Sequence, residues 1–267
     1  MFLDEALVAE GEETGRREEA TNEEDKLGPA EWVRTKLGFT PDPIQVRLLD
    51  SASKRVILNC TRQWGKSTVT AAKAVHLAVT QKDSLILVVS PGERQSGEFL
   101  RKAEDFTRQL GLKVKGDGDN ALSLVYPNGS RIVGLPGKEA TIRGFSAVSL
   151  LVVDEASRVP DEMYKAIRPM LAVSNGTLWL MSTPHGKLGF FHDTWANGGD
   201  AWERVKVTAE ECPRISKEHL KEEKRVLGER WYKQEYMCEF EDISGGVFDM
   251  DMVRAAFKSD IKPLVIP

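Results

Sequence analysis

The sequence predicts an α/β fold: a central, mostly parallel sheet with helices on both faces, followed by a small helical lid. Three stretches carry that expectation. From Val56 to Cys60 a short β-branched run leads into the polar loop Thr61-Arg62-Gln63-Trp64, and Gly65-Lys66-Ser67 then opens an apolar-periodic segment from Thr68 to Val79. That is the layout strand, loop, helix. Leu150-Leu151-Val152-Val153 is a continuous apolar run ending in Asp154-Glu155, as a buried strand does when it delivers polar groups to its C-terminal edge. Thr177 to Met181 is a third such run, ending in Ser182-Thr183-Pro184-His185-Gly186.

Each stretch has a chemical reading. Backbone N–H groups at the start of the new helix face outward, and the helix dipole favours an anion there, so the loop is built to bind phosphate. Lys66 is placed to reach β- and γ-phosphates, and the Ser67 hydroxyl to ligate Mg²⁺. The full pattern for such a loop has Gly at its first position, where this chain has Cys60. Asp154 is the candidate to hold Mg²⁺ through water, and Glu155 to orient and deprotonate an attacking water. Thr183 can sense a γ-phosphate if the three strands are neighbours; an ordinary Ser-Thr-Pro turn is the alternative.

Composition sets the frame. A chain of 267 residues with 41% hydrophobic content can bury a full α/β core and a small appendage. No apolar run approaches the roughly 20 residues of a membrane span, and no signal peptide is visible, so a soluble, intracellular chain is expected. Cys60, Cys212 and Cys238 lack metal-site spacing, and the histidines at 76, 185, 192 and 219 form no ligand cluster. Residues 1–26 carry ten acids against Arg16, Arg17 and Lys26, a net of −7 that leaves +3 on the remainder of a chain whose formal charge is −4. An acidic leader on a mildly basic body is compatible with a nucleic-acid partner.

Taken in order, the leader (1–26) is read as a loosely ordered or solvated segment. Gly28-Pro29 starts a helix with Trp32, Val33 and Leu37 inward and Gly38 as its stop. Asp42 caps the next helix, Pro43 opens it, and Gln45 falls in its first turn. Phe39, the proline pair and Gln45 just upstream of the loop resemble the adenine-reading segment of helicase-like ATPases, where a Gln amide that both donates and accepts can pair with the adenine edge; a solvent-exposed helix side chain is the alternative. Ser84 to Ser90 is a buried strand, so that strand, helix and strand form a parallel unit. Residues 93–110 are an amphipathic helix whose outer face carries Arg94, Arg101, Lys102 and Arg108, either a solvated face or, with a nucleic-acid partner, a surface that tracks phosphates.

Leu122 to Tyr126 and Arg131 to Leu135 flank Pro127-Asn128-Gly129-Ser130, a hairpin signal in which Asn-Gly supplies the positive φ angles of a tight turn. Arg143 sits beside Gly144 in a loop before the acidic strand, and it competes with Arg62 for the charge-stabilising role in phosphoryl transfer. Residues 161–172 read as a helix disturbed at Pro169, and Trp202 to Thr208 as the last strand. Residues 212–240 read as helical, with Ser216 capping, Leu220, Val226 and Leu227 inward and Gly228 as a break. The expected organisation is a leader (1–26), a core (27–208), a helical lid (209–245) and a linker (246–267) that begins near Gly245-Gly246.

With Gln45, Arg62-Gln63 ahead of Gly65-Lys66-Ser67, Arg143-Gly144, Asp154-Glu155-Ala156 and Ser182-Thr183-Pro184 in this order, the chain resembles the ATPase domain of the large terminase subunit of tailed bacteriophages. The resemblance spans roughly residues 39–186. It implies a P-loop NTPase of the additional-strand, catalytic-glutamate type that uses ATP and Mg²⁺ to drive double-stranded DNA into a procapsid in the cytoplasm of the infected bacterium. It implies a nucleotide site made of Gln45, Thr61, Arg62, Gln63, Trp64, Gly65, Lys66, Ser67, Thr68 and Thr183, with Glu155, Lys66, Arg62 and Arg143 in catalysis and Ser67 and Asp154 on the metal. It also implies a ring in which Arg143 reaches the neighbouring subunit's site, and portal protein and small terminase subunit as partners. Whole large terminases continue into a nuclease domain. Asp249 and Asp251 alone do not make a two-metal site, so no nuclease activity is expected of this chain. A helicase-like translocase and a nucleotide-gated scaffold are the alternatives.

Overall fold

The computed structural model describes residues 27–116, 118, 122–136 and 144–242. The acidic leader, Arg143 and the Gly245-Gly246 segment lie outside them.

Two short helices precede the sheet. In α1 (Pro29–Lys36) the Ala30 N–H donates to Asp50 Oδ1 at 2.8 Å, and Gly38 leaves the helix at φ +55°. In α2 (Pro43–Asp50) Asp42 and Gln45 form a reciprocal capping box. Asp42 Oδ1 accepts from the Ile44 and Gln45 amides at 3.0 and 2.9 Å, and Gln45 Oε1 accepts from the Asp42 amide at 3.0 Å.

The described strands form a seven-stranded sheet. They are β1 (Arg55–Cys60), β2 (Leu85–Ser90), β3 (Ser123–Val125), β4 (Arg131–Pro136), β5 (Leu150–Asp154), β6 (Thr177–Ser182) and β7 (Glu203–Val207), in the order β3-β4-β2-β5-β6-β1-β7. All pairings are parallel except β3 with β4. The expected additional strand is β6, which lies between the phosphate-loop strand β1 and the acidic strand β5. The strand-helix-strand unit around β1 and β2 is more open than its sequence suggests, because β6 and β5 intervene. Parallel order brings the C-terminal ends of β1, β6 and β5 to one edge, with Asn59 opposite Ser182 and Met181 opposite Asp154.

Period-two alternation divides the core. Val56, Leu58 and Cys60 face one apolar cluster while Ile57 faces the other; Val152 and Val153 divide likewise. The first cluster is closed by α1, α2, α3 (Lys66–Thr80) and α4 (Glu93–Gln109), whose Phe99, Leu100, Ala103 and Phe106 lie on its inner face. Each large apolar side chain buried there contributes about 1.5–3 kcal/mol. The second cluster is closed by α5 (Asp161–Ile167), which passes into a 3₁₀ turn at Arg168–Leu171 where Pro169 interrupts it, and by α6 (Gly189–Asn197).

Three local expectations need correction. In the β3–β4 hairpin only Gly129 has positive φ (+85°), and its N–H closes the turn on Tyr126 O at 3.1 Å. Pro127 and Asn128 therefore occupy the turn's centre, with Gly129 as the bulge residue after it, rather than Asn-Gly forming a two-residue turn. α6 has no predicted counterpart: it starts at Gly189 (φ +74°), and its Phe190 amide is capped by Asp161 Oδ1, 2.8 Å away and 29 residues earlier. In α7 (Lys217–Glu235) Ser216 caps the His219 amide and Gly228 breaks the helical φ/ψ as expected, but Val226 and Leu227 are exposed. Leu220 and Tyr232 close a small cluster with Ala209, against which Ile215, Tyr236 and Met237 pack.

Candidate functional site

β1 passes directly into the phosphate loop. Gln63 (φ 65°) and Gly65 (φ 95°) both adopt left-handed conformations, which reverse the chain between Cys60 and the first residue of α3. Gly65 tolerates this without a Cβ penalty; at Gln63 a non-glycine residue carries it, as residues at functional loops do. Lys66 is buried, and its Nζ donates to Cys60 O at 2.8 Å and Thr61 O at 3.0 Å. An ammonium has three donors, so one remains for a further oxygen. Ser67 and Thr68, in the first turn of α3, line the cavity beside it.

The acidic strand arrives from two positions along the sheet. Asp154 is the last residue of β5 and is buried; Glu155, half-buried, turns the chain at φ 51° and donates its amide to Asp154 Oδ1 at 2.9 Å. Burial, and then the neighbouring Glu155 charge, push the Asp154 carboxyl up to about 6, against the opposing pull of Lys66.

These groups line two neighbouring cavities. A cavity of about 470 Å³ is lined by Gln45, Arg62, Gln63, Gly65, Lys66, Ser67, Thr68 and Glu155. A second, of about 260 Å³, is lined by Ser67, Asp154 and Glu155 together with Arg94 and Lys102 of α4. Ser67, Glu155 and Lys102 line both, so the two adjoin. Between them in the sheet, Thr183 follows β6 with a fully buried Oγ1 that has no partner among the described residues. Thr183 lines neither cavity.

Several predicted roles acquire different or additional contacts. Gln45 is buried rather than solvent-exposed; besides closing the capping box, its Nε2 donates to Trp64 O at 3.1 Å, so it fastens the phosphate loop from beneath. Trp64 contributes that carbonyl while its indole fills the core. Thr61 is buried, with Oγ1 donating to Glu235 O at 3.1 Å. Arg62 lines the cavity, and its Nε donates to Glu235 Oε2 at 2.6 Å; Arg158, just past the acidic strand, approaches the other oxygen at 3.8 Å. The outer-face cations of α4 separate into two groups. Arg101 pairs with Glu98 and Arg108 with Glu104 and Asp105, whereas Lys102 and Arg94 turn to the cavity.

Phe39, from the proline-containing segment before Gln45, also lines the cavity, as does Arg214, which sequence reasoning overlooked. The Arg214 guanidinium donates from Nη2 to Trp64 O. It lies some 150 positions downstream of the loop it touches, so no local pattern could reveal it.

The additional strand between β1 and β5, the glycine-lysine-serine loop and the aspartate-glutamate pair at one sheet edge define the class: a P-loop NTPase fold with an additional strand. The family model described as "Terminase large subunit, T4likevirus-type, N-terminal" matches residues 57–254, and the chain belongs to that family. The large terminase subunit of Escherichia phage T5 is 23% identical over 232 residues, covering 83% of this chain and 52% of its own length. The chain thus spans about half the length of that curated relative. The ATPase domain of the Thermus phage P74-26 large terminase superposes with a TM-score of 0.71 at 22% identity, covering 80% of this chain and all of that domain. The large terminase of another thermophilic bacteriophage, solved in complex with ADP, superposes with a TM-score of 0.61 at 15% identity, covering 81% of this chain and 53% of that one. At these identities the two superpositions speak to the fold.

Proposed function

We propose that the chain is the ATPase motor of viral DNA packaging, hydrolysing ATP to translocate double-stranded DNA into a procapsid. The observation that carries this reading is that Ser67 and Glu155 line both of two adjoining cavities, one also bordered by Lys66 and the other by Asp154. A triphosphate would lie along the loop with its β- and γ-oxygens toward Lys66.

The donor set suits Mg²⁺. The Ser67 hydroxyl and the Asp154 carboxylate are hard oxygen donors at one cavity, and the described residues contain no group of three or more His, Cys, Asp or Glu that could cage a metal by themselves. Magnesium is bound in this sparse way, with substrate phosphates and water completing its shell. When bound it supplies charge neutralisation to the phosphates. Glu155 takes a proton from water as the water oxygen bonds to the γ-phosphorus; the bond to the β-phosphate oxygen breaks, and ADP and phosphate leave. Arg62, fastened to Glu235, acts within its own subunit in this proposal. Arg143, outside the described residues, is the cation delivered to the next subunit of a ring. Gln45 and Phe39 border the same cavity, where an adenine could lie. Portal protein and the small terminase subunit are the implied partners, at the procapsid in the host cytoplasm. The described residues contain no helix long and apolar enough to cross a membrane.

Phosphate release measured against protein concentration, with and without double-stranded DNA, tests the proposal. Turnover per subunit should rise with concentration and with DNA. Absence of turnover at every concentration, or equal turnover in Glu155→Ala, would reject it; turnover independent of concentration and of Arg143→Ala would reject the shared site.

A further inference from the structure

Arg214 belongs to none of the nucleotide-site motifs, yet it meets the phosphate loop from the far end of the chain. Its Nη2 donates to the main-chain oxygen of Trp64, and Gln45 Nε2 donates to the same oxygen at 3.1 Å. One donor comes from α2, the other from the segment that leads into α7. Arg214 rides on a firm support: the Ile215 amide bonds back to Cys212 O at 3.0 Å, with Pro213 as the second residue of that turn. Cys212 is buried in the main core, and Ile215 packs against both that core and the cluster under α7. A Cβ placed on Gly65 would stand 3.3 Å from Gln45 Nε2 and 3.7 Å from Arg214 Nη2. Both donors therefore crowd one side of the Trp64–Gly65 peptide.

In a trans peptide the C=O and N–H point in opposite directions, and the described residues contain no cis bond. Drawing the Trp64 carbonyl toward Gln45 and Arg214 therefore turns the Gly65 N–H away from them, and no acceptor among the described residues takes that N–H. We infer that Arg214 is a positioning residue of the phosphate loop: by holding the Trp64 carbonyl it presets the Gly65 amide for a phosphate oxygen. This rests on the phosphate-loop reading above. It ties the segment entering α7 to the anion site, and it confines the effect of Arg214 to ligands that carry phosphate.

Binding of inorganic tripolyphosphate, ATP and adenosine to the full chain, by titration calorimetry, tests it. Arg214→Ala should weaken tripolyphosphate and ATP about tenfold, the scale of one charge-assisted hydrogen bond, and leave any adenosine affinity unchanged. The loss should persist at about 0.5 M salt, where the screening length is roughly 4 Å, and Arg214→Lys, which keeps a donor, should restore most of it. Unchanged tripolyphosphate affinity in Arg214→Ala overturns the inference, as does a loss that vanishes at high salt, which would mean a diffuse charge effect. Lys66→Ala serves as the control for the loop itself. If the wild-type chain binds neither tripolyphosphate nor ATP, the phosphate-loop reading fails; if it binds both and Arg214→Ala binds them equally well, only this inference fails.

Discussion

Glu235, the last residue of α7, reaches back to the phosphate loop: its Oε2 accepts from Arg62 Nε at 2.6 Å while its main-chain oxygen accepts from Thr61 Oγ1 at 3.1 Å. The carboxylate is nearly buried (9% exposed) and Arg62 is largely solvent-exposed (60%), so the pair lies at the boundary of the solvent. Its worth is that of one hydrogen bond to a charged group, about 1–2 kcal/mol, below the range for fully buried pairs. Glu235→Ala should lower unfolding stability by that amount in denaturant titration, with Glu235→Gln losing less. Equal stability of all three proteins would show that the Thr61 bond alone holds the helix to the loop.

Asp154 has a cost that pH exposes. Its carboxyl is raised to about 6 in the folded chain, whereas an unfolded Asp titrates near 4. Between those values the folded state binds more protons, so this residue's contribution makes stability fall as pH rises from about 4 to about 6 and leaves it lowered above. His76, held down to about 4 chiefly by burial, works the opposite way: its contribution is present above about 6.5 and lost as pH falls toward 4. Asp154→Asn should remove the first dependence and stabilise the chain at neutral pH by up to about 3 kcal/mol. Denaturant midpoints of both proteins at pH 4 and 7 would check this; the two curves should converge at the acid end.

Glu155 carries a positive φ of 51°, a conformation that costs a non-glycine residue about 1–2 kcal/mol. Glu155→Gly should therefore be more stable than Glu155→Ala by about 1 kcal/mol. Both should retain nucleotide binding and lose at least about a hundredfold in phosphate release if Glu155 is the base. A variant that lost binding and turnover together would indicate a structural role.

The Thr183 hydroxyl is buried without a partner among the described residues, and leaving such a group unpaired costs about 1–3 kcal/mol. Thr183→Val keeps the shape and deletes the polar atom, so its melting temperature should match or exceed that of the wild type while turnover falls. A lower melting temperature would mean that the hydroxyl already has a bonding role in the fold.

Much of the site was legible because its chemistry is local. Gly65, Lys66 and Ser67 must be consecutive to turn a strand into a helix N-terminus, and Asp154-Glu155 must follow an apolar run to emerge at a sheet edge. The first two helices were legible through Pro29, Asp42 and Pro43, whose capping geometry is decided within a few residues. α6 was not, because its cap comes from Asp161 on another element and its first residue is a glycine. Val226 and Leu227 have helical spacing but no facing surface, since the Gly228 kink leaves them exposed.

The sequence alone determined the alternation of strand and helix, the anion-binding loop and the two acids, because each depends on neighbours a few residues apart. Only the tertiary structure decided which strands separate the two motifs, that Gln45 and Arg214 share one carbonyl, that Glu235 clasps Arg62, and that Lys102 turns inward while Arg101 and Arg108 stay on the helix surface. Those contacts join residues up to 173 positions apart, and they arise from the order in which strands pair and helices pack, which no local periodicity encodes.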